Sequence, residues 1–143
     1  MFLGEHRHSL DPKGRVIFPS KYRESLGEVF YLNVGTDKCI SVYPEAEWQN
    51  LMDRIDAFPT SQTAQIKRYL FSKSVDVKMD KQGRVLLPEE LRERVGITAD
   101  AGIMIAGAGK KIEIWNEKTY DEEMNKDDMQ AENIAALMKS LGI

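Results

Sequence analysis

The feature that most constrains this chain is that it contains itself twice. Residues Asp11 to Gly27 align without a gap on Asp80 to Gly96, at an offset of 69, and 8 of the 17 positions are identical. The identities are Asp11/Asp80, Gly14/Gly83, Arg15/Arg84, Val16/Val85, Pro19/Pro88, Arg23/Arg92, Glu24/Glu93 and Gly27/Gly96. After three extra residues in the second copy the match resumes at an offset of 72. There Gly35/Gly107, Lys38/Lys110, Ile40/Ile112, Val42/Ile114, Tyr43/Trp115 and Glu45/Glu117 pair. A repeat this regular means one unit of about 45 residues used twice.

Each copy predicts the same elements. Val75, Val77 and Met79 alternate with Asp76 and Lys78, a half-buried strand. A tight turn follows, where Gly14 and Gly83 supply positive φ. Short apolar runs, Val16 to Phe18 and Val85 to Leu87, are long enough only for strands. Pro19 and Pro88 are expected at the first position of a short helix, where a missing N–H costs nothing, and Gly27 and Gly96 close it. Two further strands are expected near 29–34 and 39–43, and again at 103–106 and 111–115, joined by glycine-containing turns. Four short strands and one small helix bury too little surface to fold alone. The two halves are therefore expected to close on each other about a pseudo-two-fold axis, giving a mainly β, α+β fold with short helices.

Longer helices are expected outside the repeat. Trp48, Leu51, Met52 and Ile55 recur at helical spacing. A second run from about Ser61 to Phe71 carries Ile66, Tyr69 and Leu70, with Thr60 or Ser61 as cap. Ile134, Leu137, Met138 and Leu141 form a third stripe. Core packing is the reading for all three, with a subunit contact as the competitor for the last.

The overall charge argues against a nucleic-acid partner, but its distribution does not. The chain carries 20 basic and 23 acidic residues, a net of −3. Seven of those acids, with only two lysines, lie between Asn116 and Asn133. The remainder is slightly basic, so local patches must be judged separately. The first residues include an acid and no small-residue cleavage site, so a secretory signal is not expected. No apolar run approaches the length of a spanning helix. With a single cysteine, Cys39, there is no internal disulfide and no cysteine-rich zinc site. The cytoplasm is the expected compartment.

The repeated turn sets Lys13 and Arg15, and Lys81 and Arg84, at a hairpin tip. A guanidinium there presents a planar fork suited to phosphate oxygens or to the O6/N7 edge of guanine. Asp11 or Asp80, four residues earlier, can orient that fork. The same spacing also suits a plain surface ion pair, worth little if exposed. Spacing alone does not choose between them.

Both copies of Asp-x-x-x-Arg are followed by an apolar triplet, a proline and a short Arg-Glu helix. In this they resemble the SpoVT/AbrB-type DNA-binding domain, and two in tandem resemble the MraZ family of bacterial transcriptional regulators. The opening Phe2 to Asp11, the Tyr43 to Trp48 segment and Phe71-Ser72 carry the resemblance across nearly the whole chain. Lys73 departs from it, standing where a small residue such as glycine is expected.

The resemblance implies two swapped-hairpin halves forming one β-barrel, with peripheral and C-terminal helices. The expected boundaries are 5–47 and 76–119 for the two domains, 48–75 for a helical linker and 120–143 for an acidic helical tail. It implies a ring-like homo-oligomer in the cytoplasm, at the nucleoid. It further implies binding to direct repeats upstream of the protein's own operon, in the division and cell-wall gene cluster. Arg15 and Arg84 are expected to contact double-stranded DNA, with Lys13 and Lys81 helping through phosphates and Asp11 and Asp80 orienting the arginines. Arg7 is a further candidate, although its counterpart in the second copy is Asp76. No cofactor, no small-molecule substrate and no membrane partner are expected.

Other readings compete less well. His6 and His8 share a strand face and invite a metal, but no third ligand stands at metal-binding spacing. Cys39 lacks a histidine partner and reads as an ordinary strand residue. Gly102 to Lys111 resembles a phosphate loop until Lys111, where Ser or Thr is required. An oligomeric scaffold, with the Asp-x-x-x-Arg pairs as subunit contacts, is the main non-DNA alternative. An antitoxin is disfavoured by the duplication.

Overall fold

The computed structural model describes residues 1–143 as a mixed α+β fold. Eight strands and six helices follow one another as β1 (Glu5–Ser9), β2 (Arg15–Ile17), α1 (Ser20–Leu26), β3 (Val29–Val34), β4 (Ile40–Pro44), α2 (Glu45–Asp56), α3 (Thr60–Phe71), β5 (Val75–Lys78), β6 (Arg84–Leu86), α4 (Glu89–Arg94), β7 (Gly102–Gly107), β8 (Ile112–Asn116), α5 (Glu117–Met124) and α6 (Ala131–Ser140). A 3-10 turn, Asp127–Met129, separates the last two helices.

Six strands form an antiparallel sheet in the order β1-β7-β8-β4-β3-β5, and β2 pairs with β6 as a separate two-stranded ribbon. Exchanging β1, β3 and β4 for their repeat counterparts β5, β7 and β8 reverses that order onto itself. The halves are interleaved. Strand β1 of the first copy pairs with β7 of the second, and β5 of the second with β3 of the first. Each half thereby covers an edge that the other would leave open.

Positions matched by the repeat fill the middle. Val16 and Val85, Phe18 and Leu87, Tyr22 and Leu91, Leu26 and Val95 all lie in one buried cluster with Phe30, Leu32, Ile103 and Ile105. Each such side chain contributes roughly 1.5–3 kcal/mol by leaving water. Because α1 and α4 have only seven and six residues, this shared burial rather than helical propensity holds them.

Several local expectations need correction. The prolines stand one residue outside the helices: Pro19, Pro44, Pro59 and Pro88 all have extended ψ and precede the first helical residue. Neither Thr60 nor Ser61 caps α3, which begins at Thr60 after Pro59. Trp48 is buried, stacked on Tyr31 at 5.1 Å and edge-on to Phe71. Ile66 and Tyr69 are exposed, however, and the buried residue of α3 is Thr63. The α6 stripe is not core either: Leu137, Met138 and Leu141 are exposed. The interleaved sheet already fills the interior, and α6 follows α5 with the 3-10 turn as its main neighbour. Helix α5 follows β8 as α2 follows β4, so the repeat reaches past Glu117 into the acidic segment. Asn116 caps it, its side-chain oxygen accepting from the Lys118 and Thr119 N–H groups. Lys73 follows α3 with no positive φ, so the backbone there makes no demand for glycine.

Candidate nucleic-acid interface

The two turns are built identically, bond for bond. Asp11 Oδ1 accepts the backbone N–H groups of Lys13 and Arg15, both at 2.9 Å, and Oδ2 accepts Arg15 Nε–H at 2.6 Å. Asp80 does the same for the N–H groups of Gln82 and Arg84 and for Arg84 Nε, at the same distances. Gly14 and Gly83 each have a φ of +79°, a region that a Cβ would disfavour. One carboxylate thus folds the tip and aims the arginine together. With Nε engaged, each guanidinium keeps its two outer nitrogens free.

Those bonds act on the carboxylates. The Asp11 carboxyl is held below the ordinary value of 3.8, first by the Arg15 backbone N–H and then by its guanidinium and the Lys13 N–H. Asp80 is lowered by the Arg84 backbone N–H, the Arg84 guanidinium and the Gln82 N–H in the same order. Both pairs are partly exposed, so their charge attraction adds little stability.

The ribbon brings the two turns together. Arg15 faces Leu86, Val16 faces Val85 and Ile17 faces Arg84. Val16 and Val85 point into the core, so alternation turns Arg15, Ile17, Arg84 and Leu86 outward. Ile17 is 47% and Leu86 55% exposed. Sequence reading assigned these two to plain apolar strands. Period-2 alternation within each triplet was the available signal.

The remaining candidates separate. Lys13 and Lys81 are both exposed, with no ion pair on either side chain, but they are not equivalent. Lys13 occupies the position of Gln82, and Lys81 that of Pro12. Arg7 lines one open groove of ≈ 850 Å³ together with Arg15 and Arg84. Its guanidinium is already engaged, Nη1 donating to Glu117 at 2.5 Å and Nη2 to Asp121 at 3.1 Å, which raises its pKa. Both acids belong to α5, and nothing in the spacing from residue 7 signals the contact. Asp76, the counterpart of Arg7, is exposed on β5.

The other residues weighed from the sequence serve packing. His6 lies edge-on to Tyr22 at 5.4 Å, and burial together with nearby Lys21 and His8 lowers its pKa. Cys39 lies just before β4 in a second cluster with Met104, Ala106, Trp115 and Tyr120, and burial pushes its thiol up to about 12. Residues 102–111 are strand β7 and its turn into β8. A Cβ on Gly107 would overlap the backbone of Phe2 and Leu3, which crosses there.

Matched against known families, the chain aligns with the one described as "MraZ protein, putative antitoxin-like" twice in tandem, over residues 1–68 and 70–140. The chain belongs to the MraZ family. It is 41% identical over 145 residues to the transcriptional regulator MraZ of Acetivibrio thermocellus, covering the whole of both chains. It is 42% identical over 144 residues to that of Lachnoclostridium phytofermentans, covering 100% of this chain and 99% of the relative. Against that of Heliobacterium modesticaldum it is 39% identical over 137 residues, 94% of each chain. These relatives are named as regulators of transcription, not as enzymes. The two family matches meet at residues 68 and 70, within α3.

Proposed function

We propose that this chain is a sequence-specific, DNA-binding transcriptional regulator that uses the outward face of the β2–β6 ribbon to read the major groove. The carrying observation is that face: two partly exposed arginines with unengaged outer nitrogens, interspersed with exposed Ile17 and Leu86. A major groove about 12 Å wide admits a two-stranded ribbon. Arginine forks suit the O6/N7 edge of guanine, and Ile17 and Leu86 suit thymine methyl groups. Lys13 and Lys81 are set to meet phosphates, which fix register without reading sequence. Arg7 joins only by exchanging Glu117 and Asp121 for phosphate oxygens.

The binding unit is the interleaved chain, its two halves closing as one pseudo-two-fold barrel with the ribbon at its mouth. Domain boundaries of 5–47 and 76–119 follow the repeat, with 48–75 as helical linker and 120–143 as acidic tail. A ring-like homo-oligomer accounts for affinity in a chain of modest charge. Linked sites raise avidity by ~10²–10⁴ when geometry lets them engage together. The proposed target is a set of direct repeats upstream of the protein's own operon in the division and cell-wall cluster. Action is in the cytoplasm, at the nucleoid.

The exposed α6 stripe favours a second reading, a protein-interaction scaffold in which the arginine turns make subunit contacts. One experiment separates the two. A mobility-shift and footprinting assay on the upstream region, with repeat-scrambled DNA as control, should give protection of the repeats. R15A with R84A should abolish it while the oligomer stays intact by light scattering. Equal retention of scrambled DNA, or dissociation of the double variant into subunits, rejects the DNA-reading ribbon.

A further inference from the structure

The arginine-bearing turns are held by residues that the repeat places far from them. The Phe18 N–H donates to the Gly83 carbonyl and the Leu87 N–H to the Gly14 carbonyl, both at 3.0 Å, so each tip is bonded to the strand end of the other half. Over these bonds lie two further arginines, identical in the copies. Arg23 Nε, on α1, donates to the Phe18 carbonyl at 3.1 Å, and Arg92 Nε, on α4, to the Leu87 carbonyl at 2.8 Å. From those anchors each guanidinium reaches across to the opposite turn. A Cβ added to Gly83 would overlap the Arg23 guanidinium, and one added to Gly14 would lie 3.0 Å from Arg92 Nη2. Both glycines are buried although they sit at hairpin tips.

We propose that Arg23 and Arg92 are crossed positioning residues: each is anchored on its own half and holds the turn of the other half, Arg23 acting on Arg84 and Arg92 on Arg15. The role rests on the DNA-binding reading for its consequence, but not for its geometry. A planar guanidinium can lie flat on a glycine backbone while its Nε–H satisfies a carbonyl; a lysine ammonium offers neither the plane nor the fixed fork. The turn beneath is fixed from above by this contact and from within by its aspartate. Small losses of placement at a reading site are costly. The crossing is tighter at Gly83, where a Cβ would have to displace the Arg23 guanidinium, than at Gly14, where Arg92 would have to give by only a few tenths of an ångström.

The test uses full-length R23A and R92A and needs DNA for only one of its arms. In the free protein, R23A should shift the amide resonances of Gln82, Gly83 and Arg84 and leave those of Lys13, Gly14 and Arg15 nearly unmoved; R92A should do the reverse. On repeat-containing DNA, R23A should weaken binding by about tenfold. That loss should vanish in an R84A background and persist in full with R15A, the pattern of a pairwise coupling. The slope of log affinity against log salt should stay at the wild-type value, whereas K13A should lower it by about one phosphate's worth. R23K should fail to restore binding, and it also serves if R23A does not fold.

Rescue by R23K, a reduced salt slope, coupling to Arg15 instead of Arg84, or resonance shifts confined to the variant's own half each overturn the proposal. If the wild-type protein shows no preference for the repeats, the DNA reading falls, and the resonance shifts still judge the crossed contact.

Discussion

At the scale of the residue, one aspartate per turn does two jobs, and pH exposes both. Folding lowers the Asp11 and Asp80 carboxyls, so they stabilise the tips while ionised. That contribution is complete above the ordinary value of 3.8 and is lost as pH falls through the lower native values. Titration followed by the amide resonances of Lys13, Arg15, Gln82 and Arg84 should show the tips unchanged at pH 5 and released only well into the acid range. D11N or D80N should remove this transition for its own turn and leave the other. The aspartate–arginine spacing was legible in the sequence because both ends of the contact sit within five residues. Arg23 and Arg92 were visible as identities but not as partners of the tips, because their contacts span the two halves. Ile17 and Leu86 were legible only in part: alternation splits each apolar triplet into two faces, while pairing decides which of the two meets water.

At the scale of the element, α2 and α5 occupy equivalent places and each buries one aromatic, Trp48 or Tyr120, but only α5 also pairs with a basic residue of the first strand. Helix α2 buries Trp48 against Tyr31, Tyr43 and Phe71. W48A should cost about 3–5 kcal/mol of unfolding free energy by denaturant titration. Helix α5 buries Tyr120, the counterpart of Trp48, against Trp115, and in addition turns Glu117 and Asp121 onto Arg7, next to the β2–β6 ribbon. Removing both charges (E117Q with D121N) frees that guanidinium, and DNA affinity should rise with a salt slope steeper by up to about one charge. An unchanged slope would mean that Arg7 never meets phosphate. The sequence identified the acidic segment by composition and the resemblance made residues 120–143 helical, while a separate helix starting at Glu117 was not read. Its start was signalled by the Glu45/Glu117 match and by Asn116 as cap. Stripes on α3 and α6 read as core because periodicity reports an apolar face without naming what covers it.

At the scale of the whole molecule, interleaving makes the two copies one cooperative unit. Strands β1 and β2 find their partners, β7 and β6, only in the second copy. Fragments 1–72 and 73–143 should therefore lack stable β structure by circular dichroism when separate and regain it on mixing; independent folding of either would contradict the pairing. Affinity should likewise belong to the assembly: a single DNA repeat should bind far more weakly than an array with native spacing, and altered spacing should cost nearly as much as deletion. The sequence by itself determined the repeat, the strand and turn order, and the self-contained aspartate–arginine turns, because each depends on contacts between near neighbours. Only the tertiary structure decided which half pairs with which, which arginines cross between them, and which apolar residues face outward. Those choices minimise exposed strand edges and apolar area over the whole chain, a quantity that no local stretch of residues contains.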